Sequence, residues 1–146
     1  MLDLELVRTY RAPRQLVWEA WTDPDQIAQW WGPRGISTPR DSIELDLRPG
    51  GRFCFDMVDD ATGARYPNSG TLVEVDPPAR LVWSDDGFPD GTGKGTATVT
   101  FVAVGEYTTT VRVHVVADLS AAIRADAERG WGSQLDKLAE QLVPRP

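Results

Sequence analysis

The sequence predicts an α+β fold in which a curved antiparallel sheet wraps around one long C-terminal helix. Three observations carry this prediction: a C-terminal segment with apolar residues at helical spacing, a series of strand-like segments before it, and two short helical segments after the first strand. Strands that follow one another through tight turns are antiparallel. Such a sheet usually buries one face, and the helices are available to cover it.

The first strand and two short helices are predicted at the N-terminus. Residues 2–10 alternate between apolar and polar side chains, which is typical of a strand. Pro13 suits the first position of a helix, because its missing N–H would have no partner there. Asp23 is expected to cap a second helix that ends at Gly32-Pro33. The first helix gains one apolar face from Leu16, Val17, Ala20 and Trp21.

About six strands in a meander are predicted next, because short apolar or alternating segments are separated by turn residues. The turn signals include Pro49-Gly50-Gly51, Asp76-Pro77-Pro78 and Gly105-Glu106. The segment 85–95, with three acids and four glycines, is expected to be a loop. The predicted strands cover residues 43–48, 53–57, 69–75, 81–84, 97–103 and 111–115.

Residues 120–143 are predicted to form the long helix. Asp118 or Ser120 would cap its start, and Pro144 and Pro146 would end it. Its apolar stripe consists of Ile123, Ala127, Trp131, Leu135, Leu138 and Leu142.

Two glycines, Gly130 and Gly132, flank Trp131 in this stripe. Each costs about 1 kcal/mol relative to alanine in a helix interior. The pair indicates either a break between two helices or bare backbone beside a cavity.

Composition and charge limit the classes of function that the chain can have. With 146 residues, of which 41% are hydrophobic and 25% charged, the chain is expected to form one globular domain over residues 1–146. A net charge of −7 argues against nucleic acid and anionic membrane surfaces as partners. No apolar run is long enough to cross a bilayer, and the N-terminus does not resemble a signal peptide. We therefore expect a cytoplasmic monomer or homodimer.

No metal or other cofactor is expected. Cys54 and His114 are the only cysteine and the only histidine, so they form neither an internal disulfide nor a zinc site of nitrogen and sulfur ligands. The parity of Val111, Val113 and Val115 places His114 on the opposite, solvent-facing side of its strand.

Aromatic side chains are the main candidates for ligand binding. Core packing explains many of them, but a subset would suit the wall of a cavity for an aromatic or polycyclic ligand. The residues expected to bind such a ligand are Trp31, Phe55, Met57, Tyr66, Trp83, Phe101, Trp131 and Leu135.

The polar candidates are weaker. The loop acids Asp85, Asp86 and Asp90 could supply a general acid or base at a cavity mouth, although solvated surface is the favoured interpretation. Cys54 lies opposite the apolar parity of its strand, and no adjacent base would activate it. The polar side chains that could anchor a ligand carboxylate or phenol, or pair with acids across the sheet, are Arg8, Arg52, Tyr66 and Arg112.

Five motifs, in the same order along nearly the whole chain, resemble the bacterial activator of Hsp90 ATPase homologue 1-like (AHSA1-like) family, which belongs to the START-like, or SRPBCC, superfamily. They are Pro13-x-x-x-Val17-Trp18-x-Ala20-Trp21-Thr22-Asp23-Pro24, Trp30-Trp31-Gly32-Pro33, Leu47-Arg48-Pro49-Gly50-Gly51-Arg52-Phe53, residues 70–75 followed by Pro77-Pro78-x-Arg80-Leu81-Val82, and Gly130-Trp131-x-x-x-Leu135-x-x-Leu138-x-x-x-Leu142.

The resemblance implies a helix-grip, Bet v 1-like fold of order β-α-α-β6-α with a deep apolar cavity between the sheet and the last helix. It also implies a small hydrophobic or aromatic ligand. Two alternatives stay open because this fold hosts several functions. One is a cofactor-independent enzyme, similar to a polyketide cyclase, an aromatase or a hydrolase. The other is a co-chaperone-like regulator of an Hsp90-type ATPase.

Overall fold

A computed structural model describes residues 1–142 of the chain. The predicted α+β class is confirmed: a curled antiparallel sheet encloses a long C-terminal helix, with two shorter helices beside it. Short 3-10 turns lie at Arg40–Ser42 and Ala121–Ile123. The elements are β1 (Leu2–Tyr10), α1 (Arg14–Thr22), α2 (Pro24–Trp30), β2 (Ile36–Ser37), β3 (Glu44–Leu45), β4 (Arg52–Asp59), β5 (Arg65–Asp76), β6 (Arg80–Asp85), β7 (Gly95–Gly105), β8 (Thr108–Ala117) and α3 (Arg124–Leu142).

The sheet has the order β1-β8-β7-β6-β5-β4-β2, and β3 pairs with β4. Its two faces differ because side chains alternate along each strand. On the concave face, Leu4 and Val113 are fully buried beneath the helices. On the convex face, Arg112 donates a hydrogen bond to Glu5 at 2.8 Å. The sheet therefore buries one face and presents ion pairs on the other.

The two short helices are joined by capping and side-chain hydrogen bonds. Asp23 accepts a hydrogen bond from the backbone N–H of Asp25 at 3.0 Å, which caps α2 as predicted. The indole N–H of Trp30 donates to the carbonyl of Ala20 at 2.9 Å. This contact fixes α2 against α1 and leaves the next residue, Trp31, at the edge of the core.

The long helix is continuous through both of its glycines, so the predicted alternative of a break at Gly130 and Gly132 is wrong. Ser120 accepts a hydrogen bond from the backbone N–H of Ala122 at 3.1 Å, which starts the 3-10 turn that leads into α3. The predicted helix end at Pro144 and Pro146 lies outside the described residues. Within residues 1–142, no helix combines the length and apolar character that crossing a membrane requires.

Several strand boundaries differ from the prediction. The strand expected over residues 43–48 is reduced to β3, because the N–H of Arg48 bonds to the carbonyl of Asp46 at 2.8 Å and the turn begins early. A two-residue strand, β2, was not predicted. At the other end of the meander, β6 continues one residue beyond Ser84 to Asp85.

Candidate functional site

A cavity of about 390 Å³ lies between the concave face of the sheet and α3, with residues of α1 and α2 and the segment after α2 closing one side. Small-molecule sites usually have volumes of about 300–1,000 Å³. Most of the side chains that line the cavity are aliphatic or aromatic. The fold therefore holds a space of the right size and character for a small apolar molecule.

Trp31 is the centre of the aromatic wall. Its ring centroid lies 5.8 Å from that of Phe55, 6.2 Å from that of Trp83 and 5.7 Å from that of Trp131. All three pairs meet edge to face, which is a favourable geometry for aromatic rings. Residues from α3 and two separate strands thus converge on the tryptophan that follows α2.

The structure places five of the eight predicted ligand-binding residues on this cavity: Trp31, Phe55, Met57, Trp83 and Trp131. Strand parity explains two of them, since Phe55 and Met57 are two residues apart on β4 and point to the same face. That they bind a ligand stays a prediction.

The other three predicted residues do not line the cavity. Tyr66 lies near the start of β5, and its side chain is exposed. Phe101 is buried beneath α1, with its ring 5.4 Å from that of Trp18. Leu135 is buried in the core, and its carbonyl accepts a hydrogen bond from Tyr10 at 3.1 Å. Apolar spacing identified Phe101 and Leu135 as inward-facing but could not separate a packed core from a cavity wall.

The two glycines of α3 have different surroundings. Gly130 borders the cavity, and a Cβ atom built there meets no heavy atom within 4 Å. Gly132 is buried on another side of the helix, where a Cβ atom would lie 3.3 Å from the guanidinium of Arg8. Bare backbone therefore opens the cavity at Gly130, and the expectation that Gly132 does the same is wrong.

Asp85 brings a carboxyl group to the cavity. It is the last residue of β6, two positions after Trp83, so strand alternation turns both side chains to the concave face. Burial raises the pKa of Asp85 to about 6, an effect partly offset by the indole of Trp83. Asp85 was predicted to lie in a loop, with solvated surface as the favoured interpretation, because the strand was expected to end one residue earlier, at Ser84.

The neighbouring acids have different environments. Asp86 accepts two hydrogen bonds from the guanidinium of Arg52, at 3.1 and 2.5 Å, and one from Ser69 at 2.7 Å. These bonds lower the pKa of Asp86 to about 2. Asp90 is exposed and accepts hydrogen bonds from the backbone and hydroxyl of Thr92. Of the three predicted acids, only Asp85 lines the cavity.

Gln134 and Trp21 also line the cavity and were not among the predicted site residues. The Oε1 atom of Gln134 accepts a hydrogen bond from the backbone N–H of Gly32 at 3.1 Å. Helical spacing could have identified Gln134, because it lies four residues after Gly130 and three after Trp131. Trp21 had been assigned only to the apolar face of the first helix.

The remaining polar candidates either lie away from the cavity or are hydrogen-bonded to neighbouring side chains. His114 contacts Asp3 at 2.8 Å on the convex face, as its parity predicted. None of Arg8, Arg52 and Arg112 lines the cavity, so they do not anchor a ligand carboxylate there. Cys54 does reach the cavity lining, where its thiol lies 3.5 Å from Glu44. Burial and Glu44 raise the pKa of this thiol, which disfavours the nucleophilic thiolate.

Comparison with models of known protein families shows which family the chain belongs to. The model of the family described as activator of Hsp90 ATPase homolog 1-like protein matches residues 11–142. The chain belongs to this family. The predicted resemblance is therefore confirmed, and the sheet curled around a long C-terminal helix agrees with the Bet v 1-like fold of AHSA1-like proteins.

Solved structures of AHSA1-like and similar proteins superpose over nearly the whole chain. A protein from Nitrosomonas europaea is 30% identical, with 97% of this chain and 94% of that chain covered and a TM-score of 0.80. An AHSA1 protein from Silicibacter pomeroyi is 26% identical, with 96% of each chain covered and a TM-score of 0.80. A Chromobacterium violaceum protein shares the fold at 24% identity, with 98% of each chain covered and a TM-score of 0.88. Comparison with curated proteins gives no match.

Proposed function

We propose that this AHSA1-like protein binds a small hydrophobic or aromatic molecule in the cavity between the sheet and α3. The observation that carries the proposal is the convergence of Trp31, Phe55, Trp83 and Trp131 on one space of about 390 Å³. Aromatic walls of this kind suit flat rings, which can stack or meet edge to face with them. We place this function in the cytoplasm, where the single free thiol of Cys54 would remain reduced.

The cavity is a better candidate for a binding site than for unfilled core. Core side chains elsewhere in the domain are buried, and Leu138, one turn along α3 from Gln134, is fully buried. Gly130 leaves the space open at a helix position where alanine would be more stable by about 1 kcal/mol. The helix is therefore locally less stable at Gly130, the position that borders the cavity, than it would be with alanine there.

A ligand screen with a blocking variant tests the proposal. Flavonoids, polyketides and fatty acids are screened by native mass spectrometry, and the Kd of each hit is measured from tryptophan fluorescence. In Gly130→Leu the new side chain extends into the cavity, and we expect the affinity to fall by ~10-fold or more. In Gly132→Ala, the matched control, we expect it to be unchanged.

Two results would contradict the proposal. One is that no compound in the three classes binds. The other is that a bound compound keeps its full affinity for a folded Gly130→Leu variant, which would place it outside the cavity.

Asp85 supports a second candidate, a cofactor-independent enzyme on the same scaffold. A partly buried carboxyl group with a pKa of about 6 exchanges protons near neutral pH and faces the bound molecule. The test is to incubate each hit with the protein and look for a changed mass. Turnover that Asp85→Asn abolishes supports catalysis, and turnover that Asp85→Asn leaves intact excludes this role for Asp85.

A further inference from the structure

The carboxyl group of Asp85 is accessible rather than enclosed in the wall of the cavity. Its residue is partly exposed, and among residues 1–142 it accepts no hydrogen bond of normal geometry. In the same part of the chain, the side-chain polar atoms that are both enclosed and without a hydrogen bond belong to Trp21, Gln134 and Gln141. Since the oxygens of Asp85 have no bond and are not among those enclosed atoms, a ligand can reach them.

Two observations direct this carboxyl group to the cavity. Strand alternation places Asp85 on the same face of β6 as Trp83, which is buried on the concave side. Burial raises the pKa of Asp85, and the indole of Trp83 partly offsets that effect, so the indole lies close to the carboxyl group. The accessible oxygens therefore face the cavity that both residues line.

The neighbouring strands leave Asp85 without a cross-strand partner but with aromatic rings beside it. The residues directly opposite are glycines on both sides, Gly70 on β5 and Gly95 on β7. The ring of Phe53 covers Gly70, where a Cβ atom would lie 2.6 Å from its Cζ atom. This ring meets that of Trp83 nearly at right angles, with the centroids 6.5 Å apart.

The charged groups that line the cavity are negative. Among the described residues of the lining, none is a lysine, arginine or histidine, whereas Glu44 and Asp85 carry carboxyl groups. Arg52 and Lys94 stabilise the carboxylate of Asp86 instead, and neither of them lines the cavity. A ligand cation would therefore meet attraction without opposition, and a ligand anion would be repelled.

A protonated amine suits this environment for two physical reasons. Burial destabilises the carboxylate of Asp85 in the free protein, so a cation that pairs with it recovers part of that cost. Aromatic faces also attract cations, and the rings of Phe53 and Trp83 lie beside the carboxyl group.

We propose that the ligand is an aromatic amine, whose ring packs against the tryptophans of the wall and whose protonated nitrogen pairs with the Asp85 carboxylate. This inference rests on the proposed function and adds the chemical class of the ligand. It makes neutral aromatic molecules weaker ligands than amines of the same shape, and it makes carboxylates the weakest.

Three compounds with one ring system test the inference: 2-naphthylmethylamine, which is cationic, 2-naphthylmethanol, which is neutral, and 2-naphthoate, which is anionic. The Kd of each is measured by calorimetry at pH 7.5. We expect the amine to bind at least ~10-fold more tightly than the alcohol, because a charge-assisted hydrogen bond replaces a neutral one. The carboxylate should bind more weakly than the alcohol.

The preference for the amine should depend on pH through Asp85. Burial raises the pKa of Asp85 to about 6, so its carboxylate is the main form at pH 7.5 and the minor form at pH 5. The amine is protonated at both values. Its affinity should therefore fall by ~5–10-fold from pH 7.5 to pH 5, whereas that of the alcohol should change little.

Other titratable groups near the cavity do not explain such a change. Burial and Glu44 raise the pKa of the Cys54 thiol, which stays neutral over this range. The hydrogen bond from Arg52 is the main cause that lowers the pKa of Asp86 to about 2, so Asp86 stays ionised. Glu44 is exposed, where solvent screens its charge, and it remains in place in the variant that removes the charge of Asp85.

That variant is Asp85→Asn, which keeps the shape of the side chain. It should lose most of the preference for the amine and the pH dependence of that preference. Asp90→Asn is the matched control, because it changes the net charge equally at an exposed residue that does not line the cavity. It should keep both. Circular dichroism verifies that each variant is folded, and the wild-type comparison at the two pH values decides the inference if one is not.

The outcomes separate this inference from the proposed function. Equal binding of the amine and the alcohol would overturn the inference and leave an aromatic binding site in place. A pH-independent affinity for the amine, a full preference in folded Asp85→Asn or an equal loss in Asp90→Asn would also overturn it. If none of the three compounds binds, the inference fails, and the ligand screen with Gly130→Leu decides the proposed function separately.

Discussion

Asp85 and Asp86 are adjacent in sequence but lie in opposite electrostatic environments. Asp86 points away from the cavity to Arg52 and Ser69, which stabilise its carboxylate. Asp85 points into an apolar wall, where burial destabilises its charge. The alternation of a β-strand is enough to produce this contrast, because consecutive side chains project to opposite faces. One residue of the pair is therefore held ionised, and the other can change protonation near neutral pH.

Asp85→Asn is expected to stabilise the protein above pH 6. The pKa of Asp85 rises from 3.8 to about 6 on folding, so its contribution to stability is complete below pH 3.8 and is lost as the pH rises through 6. Asparagine has the same shape and no charge. We expect the free energy of unfolding to increase by about 1–3 kcal/mol at pH 7.5 and to change little at pH 4. Urea denaturation at both pH values measures the difference.

Asp90→Asn is the control for this experiment, because Asp90 is an exposed acid of the following loop. It should give no gain at pH 7.5. A gain in Asp85→Asn that is equal at pH 4 and pH 7.5 would contradict the assignment, since it could not come from the charge of a carboxylate.

At the scale of the element, α3 has one apolar stripe that serves two purposes. Ala127 and Trp131 face the cavity, as does Ile123 in the 3-10 turn before the helix. Leu135 and Leu138 are buried in the core. The helix thus changes from cavity wall to core within about one turn after Trp131. Apolar spacing alone is the same in both halves.

Substitutions in the two halves of this stripe should have different effects. Trp131 is partly buried, so Trp131→Ala should cost less than the ~3–5 kcal/mol typical of a tryptophan in a packed core. It should also weaken ligand binding by roughly 10-fold, because an aromatic wall is lost. Leu138→Ala should cost about 2–5 kcal/mol and leave the Kd of the folded protein unchanged. Chemical denaturation and fluorescence titration of both variants measure these effects.

The reverse pattern would contradict the division of α3. It would consist of a large loss of stability without loss of binding in Trp131→Ala, together with weakened binding in Leu138→Ala.

Elements were predicted from the sequence more reliably than the site, for a physical reason. Period-2 and period-3.6 patterns report which face of an element is inward, and they identified β1, α2 and α3. These patterns do not report whether the space on the inward face is filled by other side chains or left open as a cavity. Phe101 and Leu135 were therefore assigned to the site with Trp31 and Trp83, although the structure buries them in the core. Whether a residue lies in the cavity wall or in the packed core depends on the distance between secondary-structure elements. A local sequence pattern carries no information on that distance.

The polar part of the site was predicted incompletely, for a different reason. Asp85 was named as a possible acid at a cavity mouth, but solvated surface was favoured because the strand was expected to end one residue earlier. Gln134 was not predicted, because it is a polar residue among the apolar members of the stripe. In both cases the sequence spacing places the residue on the inward face: Asp85 by strand alternation with Trp83, and Gln134 by helical spacing from Trp131. A polar residue in phase with an apolar face is thus a useful signal of a lined cavity, since burying it in a packed core would leave it without a partner.

At the scale of the whole molecule, the sheet and α3 enclose the cavity within a packed domain. The walls come from segments far apart in the chain, such as β4, β6 and α3, which the sheet holds in place. A ligand that enters such a site needs no refolding of the chain. Binding should then stabilise the folded state without changing how much surface unfolding exposes.

This leads to a prediction for unfolding of the liganded protein. With the tightest ligand of the screen present at 100 times its Kd, the free energy of unfolding should increase by about 2.7 kcal/mol, because the ligand binds only the folded state. The dependence on urea, the m-value, should stay constant, since a preformed cavity leaves the fold and the surface exposed on unfolding unchanged. In Gly130→Leu, whose Kd we expect to be ~10-fold higher or more, the increase at the same ligand concentration should fall to about 1.4 kcal/mol or less. A larger m-value in the presence of ligand would instead show that binding orders part of the chain, and the cavity would not be preformed.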